Sequence, residues 1–206
     1  MPALKPLQEI VLRRQLIPRK KNMVLLNSEN IKLGTPAPDF HLENVLDGEK
    51  YSLESFTDKK ILVVMFICVH CPYVRAIEDR LIQIRKDYEA KGVQLIGISS
   101  NDPTDHEEDR PENIKKHALE KNYGFPYLVD ETQEVARAYH AVCTPDIFVY
   151  DQNRKLAYHG RVDDNWKDAF KVTQHELREA LDTLLSGKTP LPAQMPSMGC
   201  SIKWKK

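Results

Sequence analysis

The stretch Ile61-Leu62-Val63-Val64-Met65-Phe66-Ile67-Cys68-Val69-His70-Cys71-Pro72-Tyr73 decides how the rest of the chain is read. Nine apolar residues run without a charge from Ile61 to Val69. The run is rich in β-branched residues and far too short to cross a membrane, so it predicts a central strand buried on both faces. Pro72 suits the first turn of a helix, where its missing N–H has no intrahelical acceptor. Apolar residues at 74, 77, 81 and 84 continue that helix at helical spacing. Cys68 and Cys71 therefore fall at a strand-to-helix junction, and Cys71 lies near unsatisfied helix N–H groups that favour a thiolate. Reactive sulfur, or a sulfur ligand site, is the expectation.

Working outward, Val93 to Ser99 supplies a second strand after a helix ending near Gly92, which makes a βαβ unit of a parallel sheet. Upstream, Phe40 and Leu42 alternate with polar neighbours, Asp47-Gly48 signals a turn, and Tyr51 and Leu53 resume the alternation, predicting an N-terminal hairpin. Downstream, the residues from 101 to 112 are the most acidic stretch, read as a solvated loop because their spacing does not fit a calcium loop. Pro111 opens a helix with Ile114, His117, Ala118 and Leu119 on its inner side. Phe125 to Asp130 is a short strand that Pro126 confines to an edge or a strand start. Ile147 to Tyr150 and Leu156 to Tyr158 pair antiparallel, and Leu177 to Leu185 form the last helix, stopped by Gly187.

The chain has 206 residues, with 30 basic and 30 acidic side chains. The balance gives no reason to expect a nucleic acid or membrane partner. Residues 1–29 form a basic N-terminal extension, 30–187 the folded domain, and 188–206 a proline-containing tail that can dock on it. The extension has no apolar run for a secretory signal; the cytoplasm is the default location, with an organellar transit peptide as the alternative. Four cysteines are too few for a disulfide scaffold, and a close C-x-x-C pair points to redox chemistry.

The motif, the order of elements and Cys143-Thr144-Pro145-Asp146 resemble the thioredoxin superfamily. The similarity is closest to its peroxiredoxin-like (AhpC/TSA-like) thioredoxin-domain proteins, over residues 30–186. Gly34-Thr35-Pro36-Ala37-Pro38-Asp39-Phe40 resembles the opening of many peroxiredoxins, and Gly199-Cys200-Ser201-Ile202-Lys203-Trp204 looks like an ending of that subgroup. The resemblance implies a thioredoxin-like α/β sandwich, a central mixed sheet with helices on both faces. It implies a Cys68/Cys71 dithiol acting on protein or low-molecular-weight thiols and disulfides, with no organic cofactor. Pro145 matches the superfamily's cis-proline beside the pair. A typical peroxiredoxin sets a proline and a threonine before its peroxide-attacking cysteine. Cys71 would fill that cysteine's place, but Val64 and Cys68 stand at the other two, so peroxide is a weak substrate at most.

Within the pair, Cys68 is expected to be the more exposed and attacking thiol, with Cys71 resolving. His70 either tunes a thiol or is a loop histidine without a duty. Cys68, Cys71 and Cys143, with His70, form an alternative soft-metal (Zn or Cu) or iron–sulfur site. Cys200 is either a tail thiol that serves the pair or an inert packed residue, with Ile202 and Trp204 as anchors. Arg161 either steadies a thiolate or makes a surface ion pair, Asp39 either handles protons or caps a turn, and Trp166 and Phe170 are packing residues. Monomer and homodimer both remain open.

Overall fold

The computed structural model describes residues 25–190 and 192–206. The basic segment and its targeting role fall outside the described residues. Two sheets organise the chain. The larger orders its seven strands β3-β2-β6-β5-β4-β8-β9, from β2 (His41–Asn44), β3 (Lys50–Ser52), β4 (Ile61–Phe66), β5 (Val93–Ser99), β6 (Tyr127–Val129), β8 (Asp146–Tyr150) and β9 (Leu156–His159). β4 runs parallel to β5 and antiparallel to β8, and β5 runs parallel to β6, so the sheet is mixed. β2 pairs antiparallel with β3 across the turn at Asp47 and Gly48, and Gly48 takes the positive φ that only glycine adopts easily. β6 lies inside the sheet between β2 and β5; Pro126 is tolerated because it precedes the strand.

Every residue of β4 is buried, because side chains alternate into two cores. Ile61, Val63 and Met65 meet Val74, Ile77, Leu81 and Ile84 of α1 (Pro72–Tyr88), Ile114 and Ala118 of α2 (Pro111–Lys121), and Leu177 and Leu181 of α4 (Glu176–Leu185). Leu62, Val64 and Phe66 face Phe40, Phe148 and Val135 and Ala136 of α3 (Glu134–Ala138). Helices thus cover both faces, and each large side chain buried there is worth about 1.5–3 kcal/mol. Leu119 does not join α2's inner face: it is 62% exposed. One α2 turn has room for Ile114 and Ala118 against the sheet, and position 119 rotates outward.

The smaller sheet carries the tail. β10 (Met198–Ser201) lies between β1 (Leu25–Asn27) and β7 (Cys143–Thr144), antiparallel to both. Residues 25–27 are therefore a strand of the folded unit. Beyond β10, Ile202 enters the second core, and Arg137 stacks over the Trp204 ring at 4.3 Å. Asn101 accepts from the Lys203 amide at 2.8 Å, and Gln133 donates to the Lys203 carbonyl at 2.8 Å. No helix among the described residues is long and apolar enough to cross a membrane.

Candidate active site

β4 ends at Phe66, and the chain crosses Cys68 and His70 before Cys71 becomes the N-cap of α1. Opposite, the Thr144–Pro145 peptide bond is cis and joins β7 to β8. Three cysteines meet there. The Cys68 sulfur lies 3.3 Å from the Thr144 hydroxyl, and the Cys71 sulfur lies 3.1 Å from the Thr144 carbonyl and 3.0 Å from the Cys200 sulfur. All four cysteines are buried thiols. Exposure does not separate the two as expected, because neither reaches solvent: Cys68 is 1% and Cys71 0% exposed. The tail strand, absent from any local reading of the motif, lies over them.

Their acidities are pulled apart. As a thiol Cys71 donates to the Thr144 carbonyl. Its pKa is lowered from the ordinary thiol range, first by the contact with Cys200 and then by Cys68, with the Val74 amide at the helix start adding to this against the effect of burial. Cys68 is pushed well up by burial, by its bond to Cys71 and by the charge of Asp109. Cys200 is pushed up by its bond to Cys71 and by burial. The lowered thiol is thus Cys71, at the helix start, which makes it a candidate attacking sulfur beside Cys68.

Asp109 is the residue that sequence missed. The acidic run has the pattern of a solvated loop, yet this carboxylate is buried and shapes the cysteine loop. It accepts the Val69 amide at 2.8 Å, the His70 amide at 3.2 Å and Asn101 Nδ2 at 2.9 Å, and it pairs with His70 Nδ1 at 2.5 Å. Forty residues separate donor and acceptor in the chain, so no spacing rule exposes the link. His70 stacks on His106 at 3.8 Å between ring centroids, and its ring bonds Asp109 rather than a cysteine sulfur.

Among the described residues, the metal-capable group whose ligand atoms lie within 4.8 Å of one another is Cys68, His70 and Asp109. It differs from the anticipated set: Cys71 and Cys143 lie outside it. Asp109 already receives four donors, which a metal ion would have to displace. Cys143 instead turns its sulfur toward the Pro145 carbonyl at 3.6 Å, and burial raises its pKa.

A cleft of about 440 Å³ borders the site, walled by Tyr73, Pro145, Arg161, Trp166, Met195 and Met198 among others. Trp166 packs on Tyr73 with ring centroids 4.3 Å apart, whereas Phe170 is fully exposed on a short turn and packs on nothing. Arg161 lines the cleft but spends its guanidinium on Glu176, with Nε 2.7 Å from Oε1. Asp39 serves a turn, accepting the Phe40 amide at 2.8 Å and the Leu53 amide at 3.3 Å. Behind Pro145, buried Asp146 pairs with His159 at 2.7 Å, another couple with no sequence signal.

This architecture has known counterparts. The crystal structure of an uncharacterized conserved protein from Geobacillus kaustophilus is 47% identical and superposes with a TM-score of 0.85, covering 89% of this chain and 97% of that one. A hypothetical protein from Sinorhizobium meliloti is 42% identical with a TM-score of 0.83, covering 87% and 98%. The thiol-disulfide oxidoreductase ResA of Geobacillus thermodenitrificans is 25% identical over 128 residues, 61% of this chain and 67% of that one. The model of the AhpC/TSA family matches residues 33–159. With its thioredoxin-like fold, the chain belongs to the AhpC/TSA family.

Proposed function

We propose that this protein is a thiol–disulfide oxidoreductase that works through Cys68 and Cys71. The observation that carries the reading is geometric: Cys68 and Cys71 stand at one strand-to-helix junction, Cys71 caps α1, and both sulfurs lie against Thr144 beside the cis Thr144–Pro145 bond. The likeness to ResA, itself a thiol-disulfide oxidoreductase, supports the same chemistry.

In the reducing direction the Cys71 thiolate attacks a substrate disulfide. One substrate sulfur leaves as a thiolate, which takes a proton, and the other stays bonded to Cys71. Cys68 then loses its proton and attacks the Cys71 sulfur, releasing the second substrate thiol and leaving a Cys68–Cys71 disulfide. An external dithiol restores the pair. The Thr144 hydroxyl steadies the Cys68 sulfur, and the cleft beside Pro145 receives the substrate chain. The sulfurs carry both electrons, so no organic cofactor enters the cycle.

Protein or small-molecule thiols and disulfides are the proposed partners, in a reducing compartment such as the cytoplasm. Peroxide reduction is assigned a minor place, because Val64 is buried in the sheet core and Cys68 occupies the position of a hydroxyl side chain.

The test is equilibration of the whole protein in graded thiol–disulfide buffers without oxygen, followed by alkylation and mass mapping. Cys68 and Cys71 should lose alkylation together as one two-electron couple. If both stay alkylated at every potential, the oxidoreductase reading falls.

A further inference from the structure

Three thiols, not two, surround the reacting sulfur. Cys71 meets Cys200 at 3.0 Å, and Cys200 reaches it from a strand 129 residues away in sequence. The placement is built by the backbone on both sides. Cys200 is paired in register with Thr144 on β7 and with Leu25 on β1. The approach of β10 to β7 is so close that a Cβ on Gly199 would stand 1.9 Å from the Thr144 carbonyl oxygen, so only glycine fits before Cys200. Ile202 and Trp204 then anchor the chain beyond it. A disulfide forms when one sulfur can approach another in line, and this strand delivers a sulfur to Cys71 already in contact.

We propose that Cys200 is a third redox cysteine, which resolves intermediates on Cys71 by forming a Cys71–Cys200 disulfide that closes the tail over the site. The proposal rests on the oxidoreductase reading above and adds a second exit from the same mixed disulfide. After Cys71 has attacked a substrate disulfide, the Cys200 thiol loses its proton and attacks the Cys71 sulfur. The bond between Cys71 and the substrate breaks, and the substrate sulfur leaves as a thiolate that takes up the proton. One substrate disulfide has been reduced to two thiols, and two protein thiols have been oxidised to one disulfide. Cys68 can then attack the Cys71 sulfur and expel Cys200, which moves the disulfide to Cys68–Cys71 without further oxidation. The first step ties the tail strand covalently to the site, and the transfer to Cys68 releases it.

The test uses the full chain, reduced and freed of reductant under anaerobic conditions, then exposed to excess 2-hydroxyethyl disulfide. Acid quenching, alkylation and non-reducing peptide mapping follow, with released 2-mercaptoethanol counted per chain. In Cys68→Ser the expected product is a peptide pair joined through Cys71 and Cys200, with two thiols released. The double variant Cys68→Ser/Cys200→Ser should stop at a mixed disulfide on Cys71, with one thiol released. Persistence of that mixed disulfide in Cys68→Ser, with Cys200 alkylated, would overturn the proposal. Should Cys68→Ser fail to fold, Cys68→Ala, which also removes the competing sulfur, is mapped instead. The Cys71–Cys200 peptide pair must then appear among its products, and its absence overturns the proposal equally. Cys200→Ser reports separately on the underlying reading: it should still form the Cys68–Cys71 bond, and failure there condemns the dithiol mechanism rather than the third cysteine.

Discussion

The Asp109 carboxylate holds the cysteine loop by its backbone, with one oxygen 2.8 Å from the Val69 amide. The same oxygen takes the His70 amide, and the other takes the His70 ring and Asn101. Burial pushes the Asp109 pKa up, but the His70 hydrogen bond and charge, with Asn101 and the backbone, bring it below its ordinary value. A carboxyl lowered on folding stabilises the fold fully above its unfolded pKa of about 4, and loses that contribution as pH falls through the folded value. Asp109→Ala should cost about 3 kcal/mol or more at neutral pH, because buried donors lose their acceptor. Its denaturation midpoint should also respond less to acid below about pH 4 than wild type. Equal acid slopes in the two proteins would show that Asp109 does not titrate with folding.

Burial and the bond to Cys71 raise the Cys68 thiol, and the charge of Asp109 adds to the rise. Asp109→Asn keeps the shape and removes the charge. Alkylation of Cys68, followed against pH in protein whose tail is opened by Gly199→Ala, should shift to lower pH in the added presence of Asp109→Asn. An unmoved profile would assign the raised Cys68 pKa to burial and Cys71 without Asp109.

Cys71 should remain ionised well below the ordinary thiol pKa of about 8.5. Thiolate ultraviolet absorbance of reduced protein should therefore persist at about pH 6 and vanish in Cys71→Ser. Because the hydrogen bond from Cys200 is the largest cause of the shift, Cys200→Ala should move the titration back toward the ordinary value. A wild-type protein with no thiolate signal below about pH 8 would contradict the assignment.

Gly199 permits the tail to close. Gly199→Ala forces a methyl group against the Thr144 carbonyl, at a cost of about 1–3 kcal/mol for the docked strand. Limited proteolysis should then cut the tail faster, and Cys71 should be alkylated faster, while the melting of the main sheet changes little. Unchanged rates of both would mean that β10 does not control access.

Arg80 braces one wall of the cleft, donating to Asp163 at 2.6 Å and to the carbonyls of Asn165 and Trp166 at 2.8 and 2.6 Å. A lysine cannot reproduce that fork. Arg80→Lys should lower kcat/KM for a protein disulfide by about tenfold through misplacement of the Trp166 wall. The thiolate titration of Cys71 should not move. A matching loss in the reaction with a small-molecule disulfide would point to a general loss of structure instead.

Much of the fold was written in local pattern. The apolar run of β4, the helical spacing after Pro72 and the strand from Val93 define the βαβ unit without help from distant residues. The C-x-x-C pair at their junction and Pro145 after Thr144 also stand in the sequence, because one turn of helix and one proline are local features. Their resemblance to a known superfamily followed from the same residues.

What the sequence by itself determined was therefore the scaffold and the presence of two cysteines at the start of a helix, since periodicity and helix-start chemistry act over a few residues. Only the tertiary structure decided what surrounds those two sulfurs. That depends on Asp109 reaching Val69 and His70 from a distant loop, and on the tail strand setting Cys200 against Cys71. Burial and electrostatic contact depend on distance in space, and in this chain the partners that fix them lie 40 and 129 residues from the groups they govern.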